Sequence, residues 1–541
     1  MNKFSPKIFF GNRVILAVVA GLILAASFPR LNIAGFAWIA HGLILFCGLG
    51  KTSRQQFWIG YVAGCAYYLT SLNWLLSIPF LFGAIAGWIA LSAYLAIYPA
   101  IWVWLCWRIF RCICGGNEPK TFLGTTWKQR AMWSISCAVI WVAMEMTFAR
   151  VISGFPWNFL ATTQYKIVPL LQIASFTGIY GVSFLLVWFG VSLCCAGILL
   201  VQRPQPSRAW SGEIILPALV AAIAFGFGAK HISSDTESPR KLKVALIQPS
   251  IPQTLIFDPS HNDTRFEKIM EISRSALAEK PDLLIWPEAS TPPLQAQQFR
   301  ALTNLIASHG VSMIFGADDS GIREKPNGDW ETNYYNSSFH FSPDGNFAAT
   351  YRKRRLVIFG EYIPLERWLP FMKWLTPIEG GFTRGEGPVQ FQIESPSAKI
   401  STLICFEDAF PHYAREHVAE ETDFLLNLTN DGWFGQRSAQ WQQAVNAIFR
   451  AIENGLPIVR CTNNGLTCWA DKHGRLKQVF RDETGNVYNA GFLIAEIPLL
   501  SPGEKRAPTF YNRHGDWFGW SCVAMSIGLA ILSRKKKTAT A

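Results

Sequence analysis

The chain has 541 residues, 50% of them hydrophobic and only 16% charged. Soluble chains carry about 25% charged residues, so this composition points to a membrane protein and argues against an ordinary soluble enzyme. The net charge of +12 does not indicate nucleic acid, because the basic residues cluster beside apolar spans, where orientation signals belong. Of twelve cysteines, only Cys405, Cys461 and Cys468 lie outside or away from those spans. That is no disulfide framework. Cys461 and Cys468 pair only if their segment faces an oxidising compartment; two ordinary buried thiols fit as well.

Apolar stretches near 20 residues read as transmembrane helices. Seven precede residue 232, at roughly 14–29, 33–50, 57–79, 82–108, 131–150, 171–201 and 213–230. An eighth covers roughly 516–533 and ends in Arg534-Lys535-Lys536-Lys537. The first span runs through Pro29-Arg30 without a clear small-residue cleavage site, so it is not read as a signal peptide. Lys3, Lys7 and Arg13, then Lys51 and Arg54, then Arg108, Arg111, Lys120, Lys128 and Arg130, then Arg203 and Arg208, and finally the terminal basic run fall on one side if the spans alternate. The short loops opposite hold Arg30, Arg150 and Lys166. The positive-inside rule therefore predicts both termini in the cytoplasm and the large insert outside it. The predicted domains are 1–231 with seven membrane helices, 232–511 as one outer domain, and 512–541 as a last helix with a basic tail.

The outer segment alternates β-rich runs with helical periodicity. Strands are predicted at Lys243–Gln248, Leu283–Trp286, Ser312–Phe315, Ser337–Phe341, Ile400–Ile404, Phe424–Leu428, Pro457–Arg460 and Phe492–Ile497. Asp263–Leu277, Gln297–His309 and Trp441–Asn454 have apolar residues at helical steps. This alternation argues for a layered α/β domain.

Within it, the apolar run Ile400–Ile404 leads into Cys405, Phe406 and Glu407, and Pro411 then opens a helical turn. That order puts Cys405 on a sharp bend, as in nucleophile elbows. A thiol there forms an acyl intermediate if a neighbour takes its proton; taken alone, the residue fits a small buried hydrophobe better. Three further blocks stand out. Leu284-Ile285-Trp286-Pro287-Glu288 ends a strand with a carboxylate. Tyr351-Arg352-Lys353-Arg354-Arg355 is a basic turn that precedes Phe359-Gly360-Glu361. Asn427 to Gly435 is a strand followed by a glycine-containing loop. Each is compatible with a plain surface turn or helix start. His412 and His417 read as structural. Neither the nine histidines nor the three domain cysteines show metal-ligand spacing, so no metal or cofactor is expected.

These blocks together resemble the nitrilase superfamily. With seven spans before the domain and one after, the whole chain resembles the membrane-embedded apolipoprotein N-acyltransferases. Ile251-Pro252-Gln253 and Thr462-Asn463-Asn464-Gly465 belong to the same pattern. The resemblance implies an α-β-β-α sandwich and a Glu-Lys-Cys triad, with Glu288 as general base, Lys353 as the triad lysine and Cys405 as nucleophile. Glu361 matches a second glutamate close to the triad, and Phe406 and Glu407 match the pair that follows the nucleophile. It also implies a membrane phospholipid as acyl donor, a diacylglyceryl lipoprotein as acceptor, a bacterial inner-membrane location with the catalytic domain in the periplasm, and a monomer. Three positions depart from the family pattern: Phe257 for tryptophan, Ile358 for proline and Gln443 for histidine.

The physics of the three residues is consistent with those roles. A free thiol has a pKa near 8.5, so a carboxylate that removes its proton during attack helps. A lysine supplies positive charge where an oxyanion develops. The stretch Ile363–Phe382, with Trp368, Phe371, Met372 and Trp374, is either a lipid-facing arm hinged at Gly380-Gly381 or packed core; Phe155-Pro156-Trp157-Asn158-Phe159 is a candidate opposite wall. Two other readings stand beside acyl transfer. One is a membrane-anchored amidase. The other is a lipoprotein-binding or transport protein, for which Glu145 within a span is the main feature.

Overall fold

A computed structural model describes residues 12–202, 211–234, 238–256, 258–289, 291–324, 328–364 and 381–538. By contacts the chain divides into two units: Met1–Asn73, Gly87–Ser233 and Asp516–Ala541 form one, and Trp74–Ala86 with Ser234–Gly515 forms the other.

The first unit is helical. Its longer helices are Arg13–Ala26, Ala37–Cys47, Ser53–Ser71, Leu81–Cys114, Trp127–Phe148, Ile179–Gln202, Ser211–Ser233 and Trp517–Thr538. Among the described residues, five are long and apolar enough to cross a membrane: those beginning at Leu81, Trp127, Ile179, Gly212 and Trp517. Arg13–Ala26 is apolar but has 14 residues, and Ala37–Cys47 has 11. The span predicted at 171–201 is interrupted. Short turns at Val168–Leu171 and Ala174–Thr177 precede Gly178, at φ +67°, and the long helix starts only at Ile179. Likewise the span predicted at 57–79 ends as a helix at Ser71.

Close packing in this unit rests on small residues and indole donors. A Cβ on Gly64 would lie 2.9 Å from Ala96 Cα, so helix Ser53–Ser71 approaches its neighbour backbone to backbone. The buried Trp102 and Trp107 indoles donate to Cys137 O and Leu45 O at 2.9 and 3.0 Å. Glu145 does not pair with Arg150. Its Oε1 accepts from Trp141 Nε1, Leu160 N and Ser183 Oγ, whereas Arg150 pairs with Asp516. Phe155 to Phe159 is packed inside the unit, with Asn158 Nδ2 donating to Ser71 Oγ at 3.0 Å.

The second unit holds two six-stranded sheets. The strands are β1 (Lys241–Gln248), β2 (Leu283–Ile285), β3 (Ser312–Glu324), β4 (Trp330–Phe341), β5 (Phe347–Arg352), β6 (Gln390–Glu394), β7 (Ser397–Ile404), β8 (Phe424–Thr429), β9 (Ile458–Thr462), β10 (Cys468–Ala470), β11 (Leu476–Val479) and β12 (Gly491–Pro498). One sheet has the order β12-β1-β2-β3-β4-β5 and the other β11-β10-β9-β8-β7-β6. Parallel pairs lie at the centres, β1/β2/β3 and β7/β8/β9, and antiparallel strands flank them. Central parallel strands are covered on both faces, which is why β2 and β8 are apolar throughout or nearly so and fully buried.

Leu246, Ile285 and Ile314 of one sheet meet Ile400, Leu426 and Val459 of the other in a continuous core. Helices Asn262–Leu277 and Ala296–His309 cover the outer face of the first sheet through Ile269, Met270, Leu302 and Ile306. Helix Ala439–Asn454 covers the second, with Ala444 against Leu466 and Cys468. The result is four layers, helix-sheet-sheet-helix. All eight predicted strands and three predicted helices are present. β5, β6, β10 and β11 were not predicted, and β3 and β4 run far past their predicted ends. Cys461 and Cys468 are buried free thiols.

The second sheet carries buried charge. Arg460 pairs with Asp408, lies 3.6 Å from Asp431 and donates to Asn427 Oδ1 at 3.1 Å. Burial pushes Asp408 up to about 6 and Asp431 up to about 7, with Arg460 pulling the other way. Arg460→Leu leaves both acids without their cation, and loss of one partner of a buried pair costs roughly 3–5 kcal/mol. A clearly lowered denaturation midpoint in detergent is the expected outcome; an unchanged midpoint contradicts this role.

Candidate active site

Glu288 stands just past the C-terminal end of β2, the end of a parallel strand at which sites form. Trp286 fixes the approach. Its N–H continues the ladder to Ile314 O at 2.9 Å, and its buried indole donates to Ser273 Oγ at 2.8 Å. A Cβ on Gly316 of β3 would lie 2.8 Å from Glu288 Cα, so glycine lets the neighbouring strand pass. Glu288 Oε1 accepts from Asn336 Nδ2 at 2.7 Å and from Lys353 Nζ at 3.3 Å, and Oε2 accepts from Asn430 N at 3.0 Å.

Lys353 follows β5 directly, and its N–H donates to Asn336 O at 2.8 Å. Its ammonium is 1% exposed and lies 2.7 Å from Glu361 Oε1. Glu361 Oε2 in turn accepts from Val357 N at 2.8 Å. Burial works against charge on Lys353, but Glu288 and Glu361 outweigh it and hold the ammonium well above the ordinary lysine range. Asn336, on β4, donates from Nδ2 to both carboxylates, at 2.7 and 2.8 Å. One amide therefore clamps the two acids while the ammonium neutralises them.

Cys405 leaves β7 at φ +51°, a conformation that non-glycine residues adopt only under constraint. The constraint is Glu407. Its buried carboxylate accepts from Ile404 N, Arg354 N, Arg355 N and the Tyr351 hydroxyl, all at 2.8–3.0 Å. One side chain thus ties the cysteine bend to the turn that carries Lys353. Asn427 Nδ2 also holds Cys405 O at 3.0 Å. Burial pushes the Cys405 thiol well up. Glu288 and Glu361 add to this, while Lys353 and a Thr429 hydrogen bond oppose it. The resting side chain is a thiol, and it feels the field of the whole carboxylate–ammonium cluster.

The six residues singled out in the sequence divide by contact. Glu288, Lys353 and Glu361 form one hydrogen-bonded group, and Cys405 faces their charges. Glu407 is a buttress, and Phe406 packs edge-on against Phe410 with ring centroids 5.0 Å apart. His417 is structural as expected: burial pushes it down to about 3, and it sits 3.4 Å from the Tyr351 hydroxyl. Gln443 is buried, with Nε2 3.4 Å from Asp408 Oδ1. Phe257 and positions 365–380 lie outside the described residues. Asn336 and the backbone of Asn430 were missed. Asn430 lies within a recognised block, but nothing near Asn336 marks it, because only the pairing of β4 with its neighbours delivers it to the acids.

The chain matches the apolipoprotein N-acyltransferase N-terminal domain over residues 20–192 and the carbon-nitrogen hydrolase domain over residues 243–499. An apolipoprotein N-acyltransferase of Geobacter metallireducens is 34% identical over 97% of this chain and 96% of its own length. One from Vibrio vulnificus is 30% identical over 97% and 98%. Among solved structures, an amidase from Nesterenkonia sp. overlaps 49% of this chain and 92% of its own at 18% identity, with a TM-score of 0.34.

The raised thiol gives a direct expectation. Alkylation of Cys405 by a small neutral electrophile should keep rising with pH past about 8.5, the ordinary thiol value. A plateau near neutrality contradicts the geometry, since it would mean a resting thiolate.

Proposed function

The chain belongs to the apolipoprotein N-acyltransferase family, and on that basis we propose how this acyltransferase works. The substrates are two membrane lipids. A phospholipid donates the acyl group, and the α-amine of a diacylglyceryl-cysteine at a lipoprotein N-terminus accepts it. In the first step Cys405 Sγ attacks the ester carbonyl while Glu288 takes the thiol proton. The tetrahedral oxyanion collapses, the ester C–O bond breaks, and the leaving alkoxide takes the proton back from Glu288 as lysophospholipid. In the second step the amine attacks the thioester, Glu288 accepts an amine proton, and the thiolate leaves and is reprotonated. Kinetics are ping-pong.

The observation that carries this reading is the Lys353 ammonium held between Glu288 and Glu361 beside a cysteine at positive φ. Lys353 sets a positive charge beside Glu288 and the developing thiolate and offers charge to the oxyanion. Glu361 fixes that lysine, and Glu407 fixes the bend. Both termini in the cytoplasm and the catalytic domain in the periplasm, with eight spans in all, is the arrangement that the basic residues support; Arg108 and Arg111 near the end of helix Leu81–Cys114, Lys128 and Arg130 at the start of Trp127–Phe148, and Lys120 between the two helices cluster on one side.

Incubation with phospholipid alone should add a fatty-acyl mass to the protein, removable by hydroxylamine and absent from Cys405→Ser. No adduct on the wild type overturns the thioester. Asn336→Leu removes the amide that clamps both carboxylates, so the rate should fall by about 10- to 100-fold while far-UV circular dichroism stays that of the wild type. An altered spectrum would mean damage to the fold instead.

A further inference from the structure

The sheet face that forms the core between the two sheets does not stop at the active site. In β3 and β4 the even-numbered residues share that face, because directly paired residues of antiparallel strands point the same way. Ile314 and His340 are paired in the core, and Asp318 and Asn336 are paired at the acids. Beyond them the strands continue as a two-stranded ribbon, through the pairs Ser320/Tyr334, Ile322/Thr332 and Glu324/Trp330. On this outer part the same face is open: Tyr334 is 56% exposed, Ile322 74% and Trp330 69%. On the opposite face Arg352 pairs with Asp319 and stacks 3.9 Å over Tyr335, and the outer pair there, Arg323 and Glu331, is charged.

Three large apolar side chains on one ribbon face, leading outward from the carboxylates, are not ordinary surface. Exposed apolar residues scattered singly need no explanation, but a contiguous set beside a site does. From Asn336 to Trp330 is six residues, about 20 Å of strand. That exceeds the half-thickness of a bilayer core, about 15 Å, which is roughly the reach of one fatty acyl chain. The track therefore begins at the reacting group and is long enough for the tail attached to it.

We propose that the Tyr334–Ile322–Trp330 face of the β3–β4 ribbon is the subsite for the aliphatic chain of the acyl donor. This rests on the acyl-transfer reading above and adds to it the surface that selects long chains. The carbonyl carbon lies at Cys405, the chain runs outward over Tyr334, and its far end meets Ile322 and Trp330.

The test compares the full-length enzyme with Ile322→Ser and Trp330→Ser in detergent, using dipalmitoyl and dihexanoyl phosphatidylethanolamine as donors and the Cys405 adduct as readout. Palmitoylation should slow by about tenfold, while hexanoylation keeps the wild-type rate. Equal slowing of both donors, or of neither, overturns the subsite. So does a loss seen only in vesicles, which assigns the ribbon to the bilayer surface, or a loss confined to transfer onto the lipoprotein amine, which assigns it to the acceptor. Failure of the wild type to take either acyl group removes the acyl-transfer reading itself and is distinct from all of these.

Discussion

Everything at the site depends on one buried cation shared by two buried anions. Lys353 is 1% exposed, Glu288 8% and Glu361 10% in their side chains. Three ionisable groups so far from water are tolerable only when paired and hydrogen-bonded. The protein meets that demand with donors from separate elements: Asn336 from β4, Asn430 N from the loop after β8, and Val357 N from the turn before Glu361. The cluster is therefore also a clasp, since it joins both sheets at one edge. In the proposed mechanism the carboxylate works beside a cysteine that loses a proton, and the lysine supplies the offsetting charge without a histidine.

The backbone around the cysteine is held as firmly as the charges. A positive φ at Cys405 persists because Glu407 collects four donors, from β7, from Tyr351 of β5 and from the Arg354-Arg355 turn. The same carboxylate touches both the strand that ends at Cys405 and the turn that bears Lys353, so the two cannot drift independently. Arg460 repeats the device one layer deeper, where Asp408, next in the chain to Glu407, is tied to β9.

What the sequence reveals about such a site depends on range. Glu288, Lys353 and Cys405 each sit at a local transition, where a strand ends or a basic turn begins, and those transitions leave marks in a few neighbouring residues. Glu407 is two residues from Cys405 and shares its signal. Asn336 has no local mark, for its position follows from pairings with residues that lie far off in the chain. The outer half of β3 and β4 was also invisible. Its alternation of Asp318, Ser320 and Ile322 with Asp319, Gly321 and Arg323 has too few apolar residues to read as a strand. Five of the eight predicted spans match helices long and apolar enough to cross a membrane, but the break at Gly178 was not legible, because apolar turns and apolar helices have the same composition.

The segment Trp74–Ala86 follows helix Ser53–Ser71 and takes in the start of the apolar helix Leu81–Cys114, yet groups with the second unit. Trp74 is 2% exposed there. Its indole donates to Gln442 Oε1 at 3.0 Å, and its ring meets Phe434 edge-on at 4.6 Å. Phe434 belongs to the turn that follows Asn430, the residue whose N–H holds Glu288. The catalytic unit is thus not a contiguous stretch of polypeptide. A fragment cut at the two ends of the polar insert would lack this tryptophan and its contacts beside the loop that holds Glu288. The enzyme resists division into an anchor and a detachable catalyst because part of the catalyst is encoded within the anchor.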